Sequence, residues 1–172
     1  MTRKICRYVI DTNVPIVANG RGNPSREKLP ALECREAAVN FLINLLMGSS
    51  AKLVLDTGGA IQAEYHRHLH PRGQPGVGDR FYLAVLQSAP RLVERVDLPK
   101  RDDGEYVDMP QTLIDLGFDP SDRKFAALAR RETIPVVNAT DSDWVNHYSE
   151  LSFSGIDVKF LCGCDTEMWF TT

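Results

Sequence analysis

Asp11 closes the first apolar run of the chain, in Tyr8-Val9-Ile10-Asp11-Thr12-Asn13-Val14, and three further acidic positions follow where strand-like runs give way to helical patterns. These are Glu64, Asp122, and the pair Asp141 and Asp143 in Thr140-Asp141-Ser142-Asp143-Trp144. Carboxylates gathered at one place repel one another, and a cation among them relieves the repulsion. An all-oxygen donor set suits Mg²⁺ or Mn²⁺ better than zinc. One or two such ions would orient a phosphodiester, make a water more acidic and stabilise the charge of the transition state. The chemistry expected of these residues is therefore metal-dependent hydrolysis of a phosphodiester.

The order of the elements decides whether the acids can meet. Ile5 to Ile10 is a β-rich run that ends in Asp-Thr-Asn, residues suited to helix caps and turns. The short helix after it must stop at Asn19-Gly20-Arg21-Gly22-Asn23-Pro24, and the charged stretch to Lys28 reads as a loop. From Leu32 to Met47, apolar residues recur every three or four positions, which predicts an amphipathic helix stopped by Gly48. Lys52 to Asp56 predicts a buried parallel strand, followed by a helix carrying Ile61, Glu64, Tyr65 and Leu69 and broken at Pro71 to Gly76. Phe81 to Leu86 predicts a helix, Arg91 to Val96 a strand, Pro99 to Pro110 an insertion loop, and Leu113 to Leu116 a helical turn. The remainder is a helix from Ser121 to Arg131, a strand at Ile134 to Val137, a helix from Asp141 to Leu151 and a strand from Ile156 to Leu161.

This repeated strand-then-helix order predicts an α/β fold, a three-layer α/β/α sandwich with a mainly parallel central sheet. In such sheets the functional site lies beyond the carboxyl ends of the strands, near a reversal of strand order. Asp11, Glu64, Asp122 and Asp141 all fall at that edge.

A chain of 172 residues with 43% hydrophobic and 25% charged residues is the right size for one domain with a sizeable core, so residues 1–172 are expected to form one unit. Loop insertions are expected near 19–28, 71–78 and 99–110. No apolar stretch approaches the roughly 20 residues that cross a bilayer, and the start of the chain leads into a strand rather than a signal peptide; a cytosolic protein without a membrane partner is expected. The net charge of −3 argues against a general nucleic-acid coat but not against a nuclease whose acids are offset by metal. Cys6, Cys34, Cys162 and Cys164 lack the density of a disulfide scaffold and read as buried or incidental thiols.

At the ends of the helices stand cations suited to phosphate. His66, Arg67, His68, His70 and Arg72 form one bank, and Arg123, Lys124, Arg130 and Arg131 a second. Arg67, His68, Arg72, Arg123 and Lys124 are the candidate RNA contacts, alongside the plainer role of complementing helix dipoles. Thr12 and Asn13 are candidates to orient Asp11 or bind phosphate, or to cap the following helix. Asp11, Asp122 and Asp141 have capping as their alternative role, Glu64 a surface pair with Arg67, and Trp144 is expected in packing.

The combination of Val9-Ile10-Asp11-Thr12-Asn13-Val14, Glu64, Asp122-Arg123-Lys124-Phe125-Ala126-Ala127-Leu128-Ala129 and Thr140-Asp141-Ser142-Asp143-Trp144 resembles the PIN domain family, motif by motif and in order, over about Val9 to Phe160. The resemblance implies a Mg²⁺- or Mn²⁺-dependent endoribonuclease with Asp11, Glu64, Asp122 and Asp141 as catalytic ligands and Asp143 in support. It also implies an RNA substrate, a homodimer and, because many bacterial members are toxins, an antitoxin or other inhibitory protein. Two readings compete: a DNA nuclease with the same site, and a non-catalytic binding module or phospho-acceptor receiver with Asp11 or Asp56 in its acidic pocket.

Overall fold

The computed structural model describes residues 5–21, 28–48 and 50–171. Five strands form one parallel sheet in the order β3-β2-β1-β4-β5: β1 (Cys6–Ile10), β2 (Ala51–Asp56), β3 (Val93–Val96), β4 (Val136–Asn138) and β5 (Val158–Phe160). The helices are α1 (Asn13–Ala18), α2 (Leu32–Met47), α3 (Ala60–His68), α4 (Val77–Gln87), α5 (Gln111–Asp115), α6 (Arg123–Glu132), α7 (Ser142–Asn146) and α8 (Tyr148–Phe153). No helix among the described residues is long and apolar enough to cross a membrane.

The chain runs from β1 outward through β2 to β3, then returns to the other side of β1 for β4 and β5. Right-handed crossovers place the connections of the two halves on opposite faces of the sheet, which makes the expected three-layer sandwich. On one face α1 packs against α2 and α4, while α6 packs against β1 and β4. The strand order reverses between β1 and β4, so the crevice that opens beyond their carboxyl ends is the natural binding site of this topology.

Burial explains the elements that position this crevice. Cys34, Ala38, Leu42 and Leu45 form the inward stripe of α2, and the predicted bounds of that helix match the structure. In α6 the whole run Lys124 to Ala129 is buried. Such a helix has no solvated face over most of its length, and it fixes its N-terminal end firmly at the sheet edge.

Several expectations change. Val77 and Gly78, placed in the loop 71–78, begin α4, because Asp79 accepts the Gly76 main-chain N–H (3.1 Å) and starts the helix early. The single helix expected from Asp141 to Leu151 is two, α7 and α8, meeting at His147. Residues 22–27 of the loop 19–28 lie outside the described residues. The loop 99–110 is tied down by an isolated bridge between Lys100 and Tyr106 and by ion pairs to α6.

The cysteines are not all free: Cys34 at the start of α2 is disulfide-bonded to Cys162 after β5, with Cα atoms 4.8 Å apart, while Cys6 and Cys164 are exposed free thiols. Spacing could not show a pairing across 128 residues that only tertiary packing creates. The bridge is reinforced by main-chain hydrogen bonds from Ala31 to Trp169 (2.8 Å) and from Thr171 to Leu29 (2.9 Å). Structural disulfides are rare in reducing compartments, so this one counts against the cytosolic expectation.

Gly78 carries a stability prediction. A methyl group there would overlap the Pro15 carbonyl oxygen of α1, so α4 approaches α1 as closely as only glycine permits. Gly78→Ala should lose about 2 kcal/mol in urea unfolding, because overpacking of this kind costs roughly 1–3 kcal/mol and outweighs the better helix propensity of alanine. Wild-type stability in that variant would contradict the close approach.

Candidate metal centre

Asp11, Asp122 and Asp141 converge on the crevice, each offering a carboxylate oxygen within 4.8 Å of the others. They come from three separate places: the residue after β1, the N-cap of α6 and the N-cap of α7. Asp11 is buried, and its two oxygens accept hydrogen bonds from the Asn13 main-chain N–H (2.9 Å) and from the Trp144 indole N–H (2.6 Å). Asp122 caps α6 by position only, without a side-chain bond to the helix, which leaves its carboxylate for the crevice. Asp141 accepts the Asp143 main-chain N–H (2.9 Å) and so both caps α7 and faces the other acids.

The spacing between the ends of β1 and β4 is set by two asparagines. The Asn13 side chain donates to Asn138 Oδ1 (2.9 Å), and its own oxygen accepts the N–H groups of Ala139 (2.7 Å) and Thr140 (3.1 Å). Asn138, fully buried, in turn accepts from the Asp141 N–H (3.2 Å) and donates to the Asp141 carbonyl (3.0 Å). Asn13 therefore braces the Asp141 loop. Neither the Asn13 nor the Thr12 side chain orients Asp11, since the Thr12 hydroxyl donates to Glu64 Oε1 (2.8 Å).

Burial and mutual repulsion shape the electrostatics. Burial above all, then the Asp141 charge, pushes Asp11 up to about 7, against the hydrogen bonds from Asn13 and Trp144. Asp122 is pushed up to about 10, first by burial and then by Asp11 and Asp141. Burial also raises Asp141, opposed chiefly by the Asp143 N–H and in part by a side-chain hydrogen bond with Asp122. Burial and mutual repulsion thus push all three carboxyl groups toward their protonated forms.

Among the described residues, no lysine, arginine or histidine forms an ion pair with any of these three aspartates. A donor set made only of clustered carboxylate oxygens is of the kind that suits a hard divalent cation such as Mg²⁺ or Mn²⁺. Family models, curated proteins and solved structures show no match to this chain.

The other predicted site residues are placed differently. Glu64 lies close enough for its charge to raise Asp11 and Asp122, but its carboxylate is held outside the trio by Thr12 and by an ion pair with Lys124. Asp143 is not part of the trio, although its charge raises Asp141; it accepts the Asp119 N–H (2.8 Å) and pairs with His147 (3.1 Å). Lys124 is buried rather than on a rim, bonded to Glu64 and to the Ser121 carbonyl. Arg123 pairs with Glu105 (2.7 Å) and Arg131 with Asp108 (2.9 Å), while Arg130 donates to the Asp108 carbonyl (3.1 Å). Arg123, Arg130 and Arg131 of the second basic bank thus anchor the loop 99–110. Arg67, His68 and Arg72 are exposed, as an RNA-contacting rim requires.

Three contributors had little signal in the sequence: Trp144, which packs edge-on against Phe118 (5.1 Å) while bonding Asp11; Asn138; and Asp119, whose charge raises Asp122 and Asp141. Trp144 is three residues beyond Asp141, on the inward face of α7, which is the only hint the spacing offers. Asp56 accepts the N–H groups of Ala60 (2.7 Å) and Ile61 (2.9 Å), so it caps α3, and the receiver reading loses that acceptor.

Proposed function

We propose that this protein is a divalent-metal-dependent phosphodiesterase acting on RNA, with Asp11, Asp122 and Asp141 as the residues that hold Mg²⁺ or Mn²⁺. The observation that carries the reading is the convergence of three aspartates, two buried and one half-buried, at the switch point of a parallel sheet, with no cation among the described residues paired to them. When bound there, the ion supplies charge neutralisation of the phosphate, a more acidic water and stabilisation of the leaving oxygen.

The chain's own groups divide the remaining work. Asn13 and Asn138 hold the β1 and β4 ends at fixed separation, which keeps Asp11 and Asp141 preorganised. Trp144 fixes one oxygen of Asp11 and, with Phe118, keeps water from its inner side. Glu64, set by Thr12 and Lys124, adds negative charge at the edge of the trio. Arg67, His68 and Arg72 lie exposed toward the end of α3 and beyond it, where they neutralise flanking phosphates and make binding salt-dependent.

The choice of RNA over DNA, and an inhibitory partner such as an antitoxin, rest on the PIN-domain resemblance. Parallel digestion of matched single-stranded RNA and DNA in Mn²⁺ tests the first: RNA should be cut and DNA spared. Equal cutting of both would make the protein a general nuclease, and cutting of neither would leave a binding module.

A further inference from the structure

We propose that Lys124 is a positioning residue that takes the place of a second metal ion, so that this centre holds one divalent ion per chain. The proposal rests on the metal-site reading above and deepens it. Glu64, the fourth acid at the crevice, is not part of the converging trio: its Oε2 is paired with the Lys124 ammonium and its Oε1 accepts from the Thr12 hydroxyl at 2.8 Å. Lys124 is buried at 8% exposure, and the Ser121 carbonyl accepts a further hydrogen bond from it.

A buried ammonium with this surrounding stays put. Removing it would leave a partly buried carboxylate unpaired, which is costly. Lys124 is also two residues beyond Asp122 at the start of α6, so the same helical turn delivers one ligand to the trio and one fixed positive charge to Glu64. A two-ion centre places two cations roughly 3.5–4 Å apart and needs carboxylates for both. Here the fourth carboxylate is already satisfied by an ammonium, and three aspartates with oxygens within 4.8 Å of one another are a ligand set for a single ion that keeps its waters. Lys124 thereby occupies the carboxylate that a second metal would need.

The test counts Mn²⁺ rather than turnover. Calorimetry, with electron paramagnetic resonance to measure free Mn²⁺, should give one ion per wild-type chain. Lys124→Met, which keeps the length of the side chain without its charge, should bind two. The second ion should disappear in the Lys124→Met, Glu64→Gln double variant, because it depends on the freed carboxylate. Lys124→Gln, which retains a hydrogen-bond donor for Glu64, is the companion if the methionine variant does not fold, with folding followed by near-ultraviolet circular dichroism. Two ions on the wild type, or a single ion of unchanged affinity after loss of the Lys124 charge, would overturn the role of Lys124 while leaving the metal site standing. No ion on the wild type would overturn the metal site itself, and this proposal with it.

Discussion

Asp11→Asn should abolish cleavage of single-stranded RNA, lowering it by about 1000-fold or more, while the protein remains folded. Charge stabilisation by a bound ion is worth several kcal/mol, and about 4 kcal/mol corresponds to roughly three powers of ten in rate. The folded state should survive because the change is isosteric and its local effects oppose each other. Asp11 accepts from both the Asn13 N–H and the Trp144 indole, and an asparagine offers one oxygen, so one of these donors is left facing an NH2 group at a cost of about 1–3 kcal/mol. Against that loss, the repulsion from Asp141 is removed. Activity in metal-dependent RNA digestion and unfolding in urea should therefore separate cleanly. Full activity in Asp11→Asn would remove it from the catalytic apparatus, and an unfolded variant would mark it as structural.

The second large effect is a stability that runs opposite to activity. Asp11 and Asp122 titrate in the folded protein at about 7 and about 10, both above the 3.8 of an unperturbed aspartate, and Asp141 is raised as well. A group with a raised folded-state pKa binds its proton more tightly when folded. Its stabilising contribution is complete below about pH 4 and is lost as the pH rises through the folded value. In EDTA the contribution of this cluster should thus fall from about pH 4 to about pH 10, with the Asp11 part lost by about 7 and the Asp122 part by about 10.

Asp122→Asn removes the most strongly shifted of these groups and keeps a donor for Asp141. At pH 8 in EDTA it should be more stable than wild type by about 2 kcal/mol, or about 4–8 °C in melting temperature for a chain of this size, and the gain should shrink toward pH 4. Added Mn²⁺ should reverse the ranking, since a ligand that binds only the folded wild type stabilises it by mass action. Thermal melts across pH, with and without Mn²⁺, make the comparison. An Asp122→Asn protein less stable than wild type at pH 8 would show that the carboxylate is held by attraction and not by strain.

Much of the framework was legible because it is periodic. The apolar stripe of α2, the short β-branched runs of β1 and β2, and the acid at the end of β1 follow from spacing and strand-end chemistry, and the parallel pairing of the sheet follows from strand–helix alternation. Asp122 and Asp141 were legible as helix-start acids, and the structure adds that they meet Asp11. What escaped were features made by tertiary packing. The burial of Lys124 beneath Glu64, the Cys34–Cys162 disulfide and the Trp144 hydrogen bond join residues 60, 128 and 133 positions apart, and local pattern carries no trace of such pairings. Lys124 misled for a specific reason: on a helix beginning with Arg123 it has the look of a second rim cation, but α6 is enclosed over this stretch.

The most direct measurement of the central claim is a time course of end-labelled single-stranded RNA with metal-stripped protein, in EDTA, after restoration of Mn²⁺, and with Asp11→Asn in the same Mn²⁺. The account predicts cleavage only in wild-type protein with Mn²⁺. Cleavage that persists in EDTA, or that Asp11→Asn performs equally well, would contradict it.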